Sequence, residues 1–390
     1  MAQLIRMESL GVSDGSTTPP SRRFSTISSF FSICRICTDA VPGWKSAVGE
    51  AAPCFSDKIQ VKQLMEGLSN QLFKVTLINV PSNAVAYTTV LFRIYGEHVS
   101  SFYEPEHELE VFKVISHMQI GPKMIANGPT WRIEEYYESI VLPVSSLGNP
   151  STFCQIASQL GRLHRLKIPQ STSFERKPIA SHRLDKWSQA ALKALDNLSL
   201  SENQMENLRI SETLLQVEKL KTVIEASAGL DGWNVVFCHN DVQENNILLT
   251  PYGMRLIDFE YADFNFQNAD LGNLFNEFTM DYLYEGPGGF KASPEHYPSE
   301  PVRRMFMAVY LSEYYGEPFL EDGGIKSEKI SKFLHAAEIG SLLSHLLWGM
   351  WSLVRAQQQA STFGSFDFVN YAKFRFDSYF AKMHILDSLF

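Results

Sequence analysis

From about Ile33 onward the chain runs as apolar segments separated by short polar clusters, and the spacing of the apolar positions changes part-way along. Residues 62–80 and 85–95 are rich in Val, Leu, Ile, Phe and Thr and are punctuated by Gly67, Ser69, Asn70, Pro81, Ser82 and Asn83, which predicts antiparallel strands joined by tight turns. Residues 106–118 place Leu109, Phe112, Ile115 and Met118 at helical spacing, and Gly121-Pro122 stops that helix. Another strand is expected at 131–137. After Pro150 helices take over: 151–166, 183–198, and a single long helix at 202–227 with Leu208, Leu215, Leu220 and Ile224 on its apolar side. Set among them, residues 234–237, 247–250 and 254–257 are short strand-like runs that bracket two polar segments, with Tyr252-Gly253 as the turn between the last two. From about Pro301 the pattern is again helical, with an aromatic-rich end.

This order of elements predicts an α+β chain with a small β-rich N-terminal lobe and a larger, mainly α C-terminal lobe. The expected boundaries are a flexible tail at 1–30, a first lobe at 31–138 and a second at 139–390. The tail is assigned because GVSDGSTTPPSRRFSTISS has little apolar periodicity. With 390 residues, 45% hydrophobic and 20% charged, the chain is long enough for two lobes and has the balance of a folded protein. A formal net charge of -9 argues against a nucleic-acid partner and suits small cations. Five cysteines are an odd number and form no repeated framework, so a reducing, cytoplasmic setting is the simplest. The Cys34-x-x-Cys37 pair lacks the further ligands that would complete a zinc site. No apolar run approaches the ~18 residues that span a bilayer.

The segment VFCHNDVQENNILL carries the most chemical information. An apolar strand delivers His239, Asn240 and Asp241 into a loop that Asn246 closes, and a second apolar strand ends in Asp258, within LIDFEY. Asp241, Asn246 and Asp258 are thus three oxygen-bearing side chains at adjacent loop positions. Phosphoryl transfer needs such a set, because Mg²⁺ takes hard oxygen ligands and the attacking hydroxyl needs a carboxylate to orient it and accept its proton. Either Asp241 or Asn246 alone could equally cap a turn; both motifs, in order and at hairpin separation, could not arise so simply. Earlier in the chain, Gly67-Leu68-Ser69-Asn70 lies in the first predicted hairpin, where backbone N–H groups can face phosphates.

The spacing H-x-D-x-x-x-x-N followed by I-D-F-E resembles the catalytic loop and metal-binding Asp of the protein-kinase-like two-lobe fold, in the variant of choline/ethanolamine kinases and aminoglycoside phosphotransferases. That resemblance implies ATP and Mg²⁺ as cofactors, with Asp241 as the catalytic carboxylate and Asn246 and Asp258 as metal ligands. It also makes VLFRIYG similar to the family's nucleotide-contacting strand, with Arg93 reaching the phosphates, Glu108 as its ion-pair partner, and a hinge at 134–143. The run DFEYADFNFQNADLGNLFNEF, the later SHLLWGMWSLVRA and FRFDSYF narrow the resemblance to choline/ethanolamine kinases. By it, Tyr261, Glu277, Tyr282, Trp348 and Trp351 build the acceptor pocket, with Phe363 and Phe368 at its rim; Phe368 stands where the family often has a tyrosine. Physical chemistry points the same way, since a trimethylammonium group donates no hydrogen bond and needs aromatic faces and a carboxylate. Trp348 and Trp351 lie three apart in a helical pattern and so share a face, although ordinary core packing would also place them there. Asp270 and His239 are read as supports of the catalytic loop rather than participants.

The expected activity is therefore ATP-dependent phosphorylation of choline, and of ethanolamine, for phospholipid synthesis. The alternatives are an ethanolamine-preferring kinase, an aminoglycoside-type phosphotransferase, and a catalytically silent scaffold, against which the intact Asp241, Asn246 and Asp258 speak. The resemblance further implies a homodimer.

Overall fold

The computed structural model describes residues 30–49, 57–66, 70–81, 84–95, 102, 104–169, 172–319, 325–359 and 366–389. The expected tail up to residue 29, the hairpin residues Gly67, Leu68 and Ser69, and Phe363 lie outside the described residues. The chain is divided into two units: the part up to Ser100 with Phe112–Ser139, and Ser101–Val111 with Ile140–Phe390.

The smaller unit begins with helices α1 (Phe30–Ala40) and α2 (Trp44–Val48) and continues into β1 (Ile59–Glu66), β2 (Asn70–Leu77) and β3 (Thr89–Tyr95). Helix α3 (Pro105–His117) follows, its residues from Phe112 belonging here, and then β4 (Met124–Asn127) and β5 (Trp131–Glu135). The strands form one antiparallel sheet in the order β1-β2-β3-β5-β4. Alternate residues of β2 point to one face, so Phe73 and Val75 meet Val90 and Phe92 of β3 and Ile133 of β5 in a core sealed by Ile33, Cys37 and Trp44. The Trp44 indole donates to the Tyr87 carbonyl at 2.7 Å, and so satisfies the one polar atom its burial would strand. Strand β4 was not expected: four residues with an irregularity between Met124 and Ala126 carry too little periodicity to read.

The larger unit opens with β6 (Ile140–Val141) and the helices α4 (Val144–Leu147), α5 (Pro150–His164) and α6 (Ala180–Leu195). The helix expected over 202–227 is two, α7 (Glu202–Leu208) and α8 (Ile210–Ser227). Arg209 adopts left-handed backbone (φ 49°) between them, held by its Nε bond to Glu212 at 3.1 Å and by its guanidinium 3.7 Å above the Phe380 ring. A left-handed residue resets the helical phase, so Leu208, Leu220 and Ile224 are buried as expected while Leu215 is 71% exposed.

Next come β7 (Val235–Cys238), β8 (Ile247–Thr250), β9 (Gly253–Leu256) and β10 (Asp263–Phe266). Strand β7 pairs with β10, and β8 pairs with β6 and β9. The β8–β9 turn uses Gly253 at φ 97°, a conformation open to glycine. Helix α9 (Gln267–Glu277) leads to the short pair β11 (Met280–Asp281) and β12 (Lys291–Ala292), and then to α10 (Glu300–Tyr315), α11 (Ile325–Gln359) and α12 (Phe368–Lys382). Every residue of α9 is buried. It crosses α11 so closely that a Cβ on Gly272 would collide with the backbone at Gly340 and Ser341, and one on Gly340 with the Asn268 carbonyl. Asn268 and Asn276 each donate to an α11 carbonyl at this crossing, at 3.1 and 3.0 Å. Among the described residues Cys34, Cys37, Cys154 and Cys238 are free thiols, and no helix is long and apolar enough to cross a membrane.

Candidate functional site

Strand β7 ends at Cys238 and releases His239, Asn240 and Asp241 into a loop that closes through a 3-10 turn at Glu244–Asn246 before β8. The loop is shaped by Asp270 on the first turn of α9, whose carboxylate accepts the backbone N–H of His239 at 2.7 Å and of Asn240 at 2.6 Å. That grip fixes Asn240 in left-handed backbone (φ 62°). His164 of α5 binds Asp270 at 3.0 Å through Nε2 and Tyr310 at 2.8 Å through Nδ1. Burial alone would raise the Asp270 carboxyl; the His164 hydrogen bond and the nearby His164 and His239 more than offset it, so Asp270 lies below the usual carboxylate range. His239 bonds the Ile257 carbonyl at 2.9 Å and packs 4.6 Å from the Phe259 ring, and burial lowers its pKa, which leaves it a neutral support.

Asn246 donates from Nδ2 to the Asp241 carbonyl at 2.9 Å and to its Oδ2 at 3.0 Å. Its amide oxygen is thereby turned the other way; Oδ1 is buried with no hydrogen-bond partner among the described residues. Asp258 follows β9 in left-handed backbone (φ 62°), and the Asn246 carbonyl accepts the N–H of the preceding Ile257 at 3.0 Å. Burial, and then the charges of Glu277, Asp258 and Glu260, push the Asp241 carboxyl well above its ordinary value, against the pull of Asn246. An unpaired amide oxygen beside crowded carboxylates is the donor set of a hard divalent cation. The residues present fit Mg²⁺.

A few residues further along α9, Asn273 and Glu277 lie on the same face as Asp270, at helical spacings of three and seven. Asn273 donates to the Val242 carbonyl at 3.1 Å and accepts from the Trp348 indole at 2.8 Å and the Ser344 hydroxyl at 2.7 Å. Trp348 stands edge-on to Tyr261 (5.4 Å between centroids) and to Trp351 (5.5 Å), and Trp351 to Phe368 (5.7 Å). The Trp351 indole donates to the Tyr261 hydroxyl at 3.0 Å. Phe366 joins this group to a second one around Tyr282 and Tyr371, with ring centroids 4.6 Å from Phe368 and 5.4 Å from Tyr371. Glu277 is buried there against Arg375, and burial holds the Tyr261 and Tyr282 phenols neutral.

In the smaller unit, Arg93 and Arg132 sit opposite one another on β3 and β5, and both donate to Glu134 Oε1, at 2.9 and 2.7 Å. Burial would raise the Glu134 carboxyl, but the two guanidinium charges overcome it and keep it ionised. Asn70 is buried at the start of β2. Glu108 is buried on α3, within the segment that groups with the larger unit.

Residues 61–380 match the sequence profile described as choline/ethanolamine kinase. The chain belongs to the choline/ethanolamine kinase family. A choline/ethanolamine kinase of Rattus norvegicus is 30% identical over 343 residues, covering 85% of this chain and 82% of its own. The solved choline kinase of Cryptosporidium parvum superposes with a TM-score of 0.78 at 32% identity, over 92% of this chain and 96% of that one. The ethanolamine kinase of Plasmodium vivax, 19% identical over 91% of each chain with a TM-score of 0.69, shares the fold. Membership of the choline/ethanolamine kinase family makes the chain an ATP-dependent phosphotransferase acting on an alcohol, with the protein-kinase-like architecture expected from the sequence.

Sequence reasoning missed Asn273, Arg375 and Tyr371, and took Glu134 only as the start of a hinge. Asn273, Arg375, Tyr371 and Glu134 are polar residues that each have a partner far along the chain: Trp348, Glu277, Tyr282 and Arg93. The one local signal was a lone arginine among aromatics in FRFDSYF. Glu244 is buried and accepts the Tyr282 N–H at 3.2 Å, tying the loop that bears Asp241 to the segment after β11.

Proposed function

We propose that this protein transfers the γ-phosphoryl group of ATP to the hydroxyl of choline, with ethanolamine as a second acceptor. The observation that carries the proposal is the run of Asp270, Asn273 and Glu277 along one face of α9. It places the loop bearing Asp241 beside the aromatic group of Tyr261, Trp348, Trp351 and Phe368. Aromatic faces attract a quaternary ammonium without needing a donor from it. An aminoglycoside, which carries many amines, would call for several carboxylates instead.

Asp241 accepts a hydrogen bond from the acceptor hydroxyl, aligns it with the γ-phosphorus and takes up its proton as the new O–P bond forms and the bond from the γ-phosphorus to the β,γ-bridging oxygen breaks, so that ADP leaves. The raised carboxyl of the isolated chain suits an atom that shares its site with other negative charges until a cation offsets them. Asn246 and Asp258 would hold Mg²⁺ through oxygen, and the ion would supply positive charge against the phosphates of ATP. Asn246 also steers Asp241 through its Nδ2 bond. Catalysis is then positioning and charge stabilisation, as this reaction class requires. Arg93, oriented by Glu134, and the hairpin residues Gly67, Leu68, Ser69 and Asn70 are assigned to the nucleotide phosphates. Tyr282 and Glu277 complete the acceptor site, with Phe363 and Phe368 as its rim. From its cysteine pattern we read the protein as cytoplasmic, and from the resemblance as homodimeric, which gel filtration checks for the dimer.

A coupled assay of ADP release with choline, ethanolamine, an aminoglycoside or no acceptor tests the function. Turnover should require Mg²⁺ and be greatest with choline. Aminoglycoside-driven turnover in the absence of choline activity would overturn the assignment.

A further inference from the structure

The two oxygens of Glu277 have different surroundings. Oε1 accepts from Arg375 Nη2 at 2.5 Å, whereas Oε2 is buried and has no hydrogen-bond partner among the described residues. Arg375 is fully buried on α12, and the same guanidinium reaches the Tyr371 hydroxyl from Nε at 2.9 Å and the Tyr282 hydroxyl from Nη2 at 3.0 Å. The two phenols are 2.8 Å apart. One planar cation thus fixes a carboxylate and the hydroxyls of two aromatic walls at once, a geometry that suits arginine and not lysine.

The consequence for a bound ammonium group is specific. Arg375 neutralises much of the Glu277 charge at short range, so a trimethylammonium group is held chiefly by the aromatic faces. A buried carboxylate oxygen without a donor is costly, and a ligand that brings an N–H relieves that cost. A quaternary ammonium brings none; an ammonium with fewer methyl groups does.

We propose that Arg375 is a specificity-determining residue: by pinning Glu277 Oε1 and damping its charge it weights the acceptor site towards methylated amino alcohols, and Oε2 is where the N–H of a less methylated one is read. This rests on the assignment of amino alcohols as acceptors. Arg375 reaches the acceptor through Glu277, Tyr282 and Tyr371, so it acts as a positioning residue.

The test is kcat/KM for choline, N,N-dimethylethanolamine, N-methylethanolamine and ethanolamine, with the KM for ATP measured alongside. The variants are Arg375→Met, Arg375→Lys and Glu277→Gln. Freeing both Glu277 oxygens should raise the ethanolamine-to-choline ratio about tenfold in Arg375→Met and by less in Arg375→Lys. Removing the charged acceptor should lower the ratio about tenfold in Glu277→Gln. The ATP KM should stay fixed in all three. A purely structural role would lower all four acceptors together, and a ratio that is unchanged, or moves the same way in the Arg375 and Glu277 variants, overturns the proposal. Should Arg375→Met fail to fold, the ratio in Arg375→Lys decides. A wild-type protein that phosphorylates no member of the series refutes the functional assignment itself, which a choline-active wild type with an unmoved ratio would leave standing.

Discussion

Trp348 donates its indole N–H to Asn273 Oδ1 at 2.8 Å, and the amide nitrogen of that same Asn273 donates to the carbonyl of Val242, the neighbour of Asp241. The wall of the proposed acceptor site and the loop that bears Asp241 are therefore held by one buried amide. Asn273→Ala leaves the indole N–H, the Ser344 hydroxyl and the Val242 carbonyl without this partner, each worth about 1–3 kcal/mol when stranded. The expected result is a fall in Tm accompanied by a drop in kcat of about tenfold, read by steady-state kinetics at a temperature where the variant is folded. A lower Tm with an unchanged kcat would reduce Asn273 to packing.

Trp351 is only half-buried and offers an aromatic face next to Phe368 and Tyr261. Trp351→Leu keeps an apolar side chain but removes the π-face, worth about 1–2 kcal/mol to a partly desolvated cation. The acceptor KM should rise roughly tenfold or more while the ATP KM stays constant. Equal movement of both constants would show that the residue supports the fold rather than the acceptor.

Asp270 accepts two backbone N–H groups and one histidine bond while fully buried. Asp270→Asn presents an amide NH₂ to at least one of these donors. Breaking such a buried network costs about 3–5 kcal/mol, so the variant should unfold at markedly lower denaturant and lose kcat with it. His164→Gln, which can still donate to Asp270, should retain more of both than His164→Leu, and equal losses in the two would remove the hydrogen bond from the account.

Acid sensitivity should centre on His345 of α11. It is buried, neither ring nitrogen has a hydrogen-bond partner among the described residues, and burial with the nearby charges of Arg375 and Lys382 lowers its pKa well below 6.5. The folded protein holds the neutral ring while the unfolded chain protonates near 6.5. The unfolded state thus binds the extra proton, and stability is fully present above that pH and lost as pH falls below it, by up to about 1.4 kcal/mol per unit for this one group. Denaturant midpoints from pH 7.5 down to 5 should fall in the wild type and flatten in His345→Leu. Parallel curves would place the acid limb elsewhere.

What could be read in advance follows the range of the physics involved. The β8 boundaries and the Tyr252-Gly253 turn were legible because strand periodicity and a left-handed glycine are written locally. The loop from His239 to Asn246 was legible because its donors are close in sequence. Arg209 was not: good helix formers flank it on both sides, and what stabilises its left-handed backbone is in part the ring of Phe380, far along the chain. Asn273 looked like one more polar residue in a helix, since nothing local says that all of α9 is buried. Arg375 carried a faint signal in its aromatic neighbours, but its partner Glu277 lies 98 residues away.

Asp241 and Asp258 are expected to separate chemistry from cation binding, although each carboxyl lies in the field of the other. Asp241 accepts a hydrogen bond from Asn246 and is the carboxylate proposed to take the acceptor's proton, so Asp241→Ala should lower kcat by about a thousandfold or more while a non-hydrolysable ATP analogue still binds with Mg²⁺ to within about twofold. Asp258→Ala removes an anionic oxygen from the proposed cation site beside Asn246 Oδ1, an atom without a hydrogen-bond partner among the described residues. Its loss should abolish the gain in nucleotide affinity that Mg²⁺ gives the wild type, leaving the metal-free affinity alone. Calorimetric titration of each variant with the analogue, with and without Mg²⁺, gives the four constants required. Turnover near the wild-type rate in Asp241→Ala would take the carboxylate out of the reaction, and a full Mg²⁺ effect in Asp258→Ala would move the cation to other ligands.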